Sequence, residues 1–121
     1  MRYSAPAQSG IAGADLSSTP LGTPLKPTAT GFVPVDADTD PVYCYLVSQA
    51  NTSDVGQAIA FVTYGEVEVP SNGAIAAGAN CIPHSSGAVQ SMGAVSAAKN
   101  AVRCLIAKEA ASNDRVYGRI V

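Results

Sequence analysis

The chain has 121 residues, 13% of them charged, a net charge of −2 and no tryptophan. That length holds one domain with at most an arm, and so sparse a charge suits contact with other protein more than a freely solvated surface. Seven Lys and Arg against nine Asp and Glu give no case for nucleic acid, since phosphate neutralisation needs clustered cations, and no run approaches the ~20 apolar residues of a membrane span.

Residues 1–30 differ in character from the rest. Pro6, Pro20, Pro24 and Pro27 stand among Ser, Thr, Ala and Gly, and each proline deletes a backbone donor. The apolar content, Ile11, Leu16, Leu21 and Leu25, is thin for a core of its own. These residues are therefore expected to form an extended Pro-rich arm, with those four side chains as anchors on a partner. Met1–Pro6 lacks the apolar run of a signal peptide.

From Gly31 the pattern turns to strands. Phe32–Val35 reads as an edge strand that tolerates Pro34. Val42–Val47 is rich in β-branched and aromatic residues, and Ala58–Tyr64 follows after a turn over 51–56. Glu66-Val67-Glu68-Val69 alternates, valines to one face and carboxylates to the other. Cys81–Pro83 and Ala88–Gln90 flank the Ser85-Ser86-Gly87 turn as a short hairpin. Alanine-rich 93–112 is ambiguous between helix and strand; a strand from Val102 to Glu109, after at most a helical turn, is the preferred reading. The last strand is Val116–Val121. The expected fold is mainly β: a small barrel- or sandwich-like domain over 31–121, with at most one short helix, behind the arm over 1–30.

Chemistry-bearing constellations are scarce. Cys44, Cys81 and Cys104 are odd in number and unpaired in spacing, which suits folding in a reducing cytoplasm. Cys81-x-x-His84 with Cys44 and Cys104 imitates a zinc set, but the cysteines lie in apolar strand contexts and read as small hydrophobes. Asp36-Ala37-Asp38-Thr39-Asp40 imitates a calcium loop, yet Pro41 stands where a glycine is needed and Val47 where the bidentate Glu belongs. No nucleophile–base pair, Gly-x-Ser-x-Gly elbow or phosphate loop is present. Neither enzyme activity, metal nor cofactor is expected.

Thr63-Tyr64-Gly65-Glu66-Val67-Glu68-Val69-Pro70, then Ile75–Cys81, Ser86-Gly87-Ala88-Val89, Cys104–Ala111 and Val116–Val121 together resemble the capsid decoration, or cement, proteins of tailed bacteriophages. The resemblance covers Ala58–Val121, about half the chain. It implies a virion structural protein, made in the host bacterial cytoplasm, that binds the outer capsid surface and holds neighbouring major capsid protein subunits. Its partners would be the major capsid protein and itself, as a homotrimer, with no nucleic acid and no membrane. The acidic middle of the chain and the basic C-terminal segment could then meet between copies, Glu66 and Glu68 of one with Arg115 and Arg119 of another. The alternative is a virion-surface β-domain that binds a host-cell ligand such as carbohydrate.

Overall fold

The computed structural model describes residues 1–49, 55–94 and 101–121. The mainly β expectation is met: the strands form two five-stranded antiparallel sheets packed as a sandwich. The first sheet holds β1 (Gln8–Ile11), β2 (Pro24–Thr28), β3 (Gly31–Pro34), β4 (Cys44–Ser48) and β5 (Ala58–Val62) in the order β1-β5-β4-β2-β3. The second holds β6 (Glu66–Pro70), β7 (Asn80–Pro83), β8 (Val89–Ser91), β9 (Leu105–Ala107) and β10 (Arg115–Ile120) in the order β6-β10-β9-β7-β8. A short 3-10 turn spans Met92–Ala94. The strand expected over Val102–Glu109 is confined to Leu105–Ala107, and the helical turn expected before it falls mostly outside the described residues.

The arm is corrected. Gln8–Ile11 pairs with Ala58–Phe61, and Pro24–Thr28 lies between β3 and β4. The prolines do not prevent this, because each sits where its missing donor is not needed. Pro24 opens its strand and accepts from the Val35 N–H, and Pro27 lies beyond the last β4 pairing. Leu16 and Leu25 are completely buried, and with Ala12, Cys44, Leu46, Ile59 and Phe61 they make a core. Leu16 and Leu25, with Leu21 against them, are thin for a separate core but suffice when the partner residues come from β4 and β5.

A second core lies between the sheets and contains Tyr45, Val47, Val62, Val67, Val69, Cys81, Leu105 and Val116. The two cores share β4: Cys44 and Leu46 enter the first, Tyr45 and Val47 the second. The Tyr45 hydroxyl donates to the Cys104 carbonyl at 2.7 Å, so the one polar atom of that ring is satisfied in the interior. Burial, with the Cys104 contacts adding to it, pushes the Tyr45 phenol well up from its ordinary value.

The two sheets repeat one another. Counted from its first strand, each sheet runs first, fifth, fourth, second, third. The registers correspond as well: Leu25 faces Cys44 and Pro34 as Cys81 faces Leu105 and Ser91. Tyr45 faces Val62 as Ile106 faces Arg119, and Ile11 faces Ala58 as Pro70 faces Arg115. The connections follow. Ala12 makes a parallel bridge to Phe32, and Ser71 makes one to Val89, so each sheet curls until its edges touch without closing. The Gly13 N–H donates to Phe32 O at 2.8 Å, and the Asn72 N–H to Val89 O at 2.8 Å. Gly22 donates to Leu46 O, and Gly78 donates to Ala107 O. These two glycines have φ of 90° and 84°, the left-handed region that other residues enter at a cost.

Superposing the repeats exposes one mismatch. Ser71 occupies the position of Ala12, is 8% exposed, and its hydroxyl has no hydrogen-bond partner among the described residues. Ser71→Ala is expected to stabilise the fold by about 1 kcal/mol, by removing an orphaned polar group; urea denaturation measures it, as a higher midpoint at unchanged slope. Deleting 1–23 removes β1 and Leu16, so the truncated chain is expected to lose its cooperative thermal transition in circular dichroism.

Candidate functional site

The alternation in β6 does what its pattern implies. Val67 and Val69 are fully buried, while Glu66 and Glu68 stand on the outer face of the second sheet. Tyr117 of β10 lies opposite Glu68, and Arg119 lies opposite Glu66. Arg2–Ser4 runs along the free side of β6: the Ser4 N–H donates to Glu66 O at 2.9 Å, and the Glu68 N–H to Arg2 O at 2.8 Å. The N-terminal segment therefore extends the second sheet by a short strand.

A charged ladder fastens this segment. Arg2 Nε lies 3.1 Å from Glu68 Oε2, Arg2 Nη1 lies 3.1 Å from Glu109 Oε1, and the guanidinium carbon sits 4.3 Å from the centre of the Tyr117 ring. Arg115 Nε reaches Glu68 Oε1 at 2.9 Å, and its Nη2 donates to the Leu21 carbonyl. Lys108 pairs with Glu66, whose other oxygen accepts from the Tyr117 hydroxyl at 2.9 Å. Burial alone would raise the Glu68 carboxyl, but the bonds from Arg2 and Arg115 bring it below its ordinary value. Lys108 first and Tyr117 second lower Glu66.

The expected exchange of Glu66, Glu68, Arg115 and Arg119 between copies is thus corrected for three of the four. Glu66, Glu68 and Arg115 find their partners within the chain, because the β6–β10 register sets them on one face. Arg119 is exposed and makes no ion pair among the described residues. The four expected arm anchors divide likewise. Leu16 and Leu25 are core, Leu21 packs half-buried against that core, and Ile11 alone stands clear at 53% exposure. Composition concealed Arg2, Lys108 and Tyr117, which belong to this face; the alternation of Glu66 and Glu68 was the one signal pointing there.

Exposed apolar side chains are spread over the molecule, among them Tyr3, Tyr64, Val102 and Val121, and one aromatic cluster reaches the surface on the first sheet. Tyr43, 56% exposed, packs on Phe32 with ring centroids 5.4 Å apart, and Phe32 packs on Phe61 at 5.1 Å. Gly10 lies beneath these rings: a Cβ there would stand 2.5 Å from Phe61 Cε1, so any side chain would have to displace that ring. Strand β1 beside it is exposed at Gln8, Ser9 and Ile11. Alternation along β1 sets Gln8 and Gly10 on the side of the rings and Ser9 and Ile11 on the other, whereas the charges on the face of β6 and β10 are paired within the chain except at Arg119.

The other motifs are absorbed by structure. Cys44, Cys81 and Cys104 are buried, and burial pushes their thiols up to about 12, 11 and 12, so they stay protonated. The His84 ring is engaged by its own turn, accepting from the Ser86 N–H at 3.1 Å. Among the described residues no group of three His, Cys, Asp or Glu side chains could hold a metal. The acidic loop closes on Lys26, whose Nζ lies 2.8 Å from Asp36 Oδ1 and 2.8 Å from Asp40 Oδ2. No protein-family model matches the chain, and neither does any curated protein.

Lys26, followed by the Asp36 N–H, holds the Asp40 carboxyl at about 2. A depressed carboxyl contributes stability that is present above the unfolded value of about 4 and lost as pH falls through the folded value. Unfolding free energy is therefore expected to fall from pH 5 toward pH 2. Asp40→Asn should flatten that slope, as read by denaturant titration at each pH.

Proposed function

We propose that this chain is a capsid decoration protein of a tailed bacteriophage, which binds the outer surface of the shell as a trimer and cements neighbouring major capsid protein subunits. The observation that carries the reading is the doubled β-unit. A cement must hold more than one shell subunit at once, and this chain offers the same backbone framework twice in a single body. The cores of the two units meet through β4, so load applied at one unit passes to the other through packed side chains rather than a flexible tether. The resemblance of Ala58–Val121 to decoration proteins supports the same reading.

With residues 1–30 folded into the body, shell contact falls to the β-surface. The aromatic cluster of Tyr43 and Phe32 is the better candidate, because Tyr43 keeps 56% of its surface exposed, whereas the charges around Glu68 are paired within the chain. Amphipathic rings at such a rim bury area at small entropic cost.

Undecorated expanded heads incubated with the purified full-length protein should melt several degrees higher than heads alone in calorimetry, and Tyr43→Ala should recover less of that gain than wild type. Unchanged melting with wild-type protein would overturn the cementing role. Glycan binding by the isolated chain, in that event, would favour the host-ligand alternative.

A further inference from the structure

The repeat has a gap in it. In the second unit, the outer edge of β6 is filled by Arg2–Ser4, with Tyr3 opposite Val67. The counterpart of Val67 in the first unit is Gln8, since Gln8 faces Phe61 in β5 as Val67 faces Gly118 in β10. Among the described residues nothing corresponding to Arg2–Ser4 lies there. Among the described residues no bridge is made to the outer edge of Ala7–Ser9, and Pro6, Ala7, Gln8 and Ser9 are exposed where Val67 is fully buried. Past Ser9 the edge is taken up again, by the parallel bridge from Ala12 to Phe32. What remains is a three-residue slot with the shape of one already shown to accept an extended strand.

The slot differs from its filled counterpart in charge. Arg2 is held on β6 by Glu68 and Glu109, whereas β1 offers Ser9 in the place of Glu68 and Ala7 in the place of Glu66. No charged residue occurs between Tyr3 and Ala14. Exposed strand edges are ordinarily blunted by a charge, a bulge or a cover; here, among the described residues, Pro6 at one end is the only such device. An occupant must therefore be extended, uncharged and able to pair in the register of Arg2–Ser4 on β6. The N-terminal segment of another copy fails this, because its arginine would find no carboxylate. Strand β1 of another copy meets it.

We infer that β1 is a self-pairing edge: two copies associate through Ala7–Ser9, antiparallel about a two-fold axis that sets Gln8 opposite Gln8. The Ser9 N–H of each copy donates to the Ala7 carbonyl of the other, reproducing the pair of bonds that Ser4 and Glu68 make in the second unit. Pro6 then falls opposite Gly10, beside the Phe32 and Phe61 rings. The contact is isologous and closes on itself, so it yields dimers and not fibres. It is also short, so association is weak in solution and gains force where copies are held side by side at high local concentration. This holds for the free chain, whatever surface the chain occupies.

Sedimentation equilibrium of the full-length protein should show a monomer–dimer equilibrium at concentrations up to about 1 mM, the range of a weak contact. Ser9→Pro removes the donor that points away from β5 and should abolish dimers while leaving the thermal transition in place. Gln8→Lys puts like charges face to face and should weaken association about tenfold; it serves if Ser9→Pro does not fold. Directly opposed residues of this kind have Cα atoms about 4.5 Å apart, within disulfide range. Gln8→Cys should thus cross-link under mild oxidation at least about ten times faster than Ile11→Cys, which faces a different residue across the axis. The three native thiols are buried and do not compete. A protein that stays monomeric to 1 mM, dimers indifferent to Gln8→Lys, equal cross-linking at Gln8 and Ile11, or a trimer in which Gln8→Cys does not cross-link would each overturn the assignment.

Discussion

Strand β4 is the element on which the rest depends, because it is buried on both faces. Successive side chains in a strand point to opposite sides, so Cys44 and Leu46 complete one core while Tyr45 and Val47 complete the other. A slip of one residue would exchange the two sets. It would drive the Tyr45 ring into the space built for Leu46 and strand its hydroxyl away from Cys104. The bond from Tyr45 to the Cys104 carbonyl therefore acts as a register pin: a buried phenol needs that acceptor, and only one alignment supplies it. Through it, the first sheet is fixed both internally and against the second.

The repeated units show how one backbone tolerates different fillings. In the first, Phe61 projects over Gly10; in the second the same positions hold Gly118 and Val69. The large and small members are exchanged between strands, as volume conservation in a packed core demands. A Cβ on Gly118 would lie 2.6 Å from Ile106 O, so the second unit has no room for the bulk the first requires. The outer faces diverge further. One carries the ladder of Arg2, Glu68, Arg115, Glu66 and Lys108, and the other carries aromatic rings and an uncharged strand.

Much of the architecture was legible in the amino acids. Alternation at Glu66–Val69, the β-branched run at Val42–Val47 and the turn glycines placed most strands after Gly31. What misled was the N-terminal third, where proline spacing and scarce large side chains read as an arm. Local composition cannot reveal that Leu16 and Leu25 find their partners on Cys44, Leu46 and Ile59, because those contacts close over long sequence distances. The duplication was hidden for a related reason. The units share hydrogen-bond registers but few identical residues, Pro27 and Pro83 being an exception, so only the backbone displays it. The open edge of β1 was legible least: Ala7, Gln8 and Ser9 carry no chemical signal in the sequence.

The clamp on the N-terminus also has a kinetic side. Arg2 and one of its carboxylate partners, Glu109, lie 107 positions apart. The β6 backbone that receives Arg2–Ser4 needs β10 on its other side to be held in place. The segment therefore waits, extended in solvent, until the C-terminal strand is in position, and contacts so distant in sequence form late and slowly. A chain caught before that step would leave the outer edge of β6 open as well as that of β1.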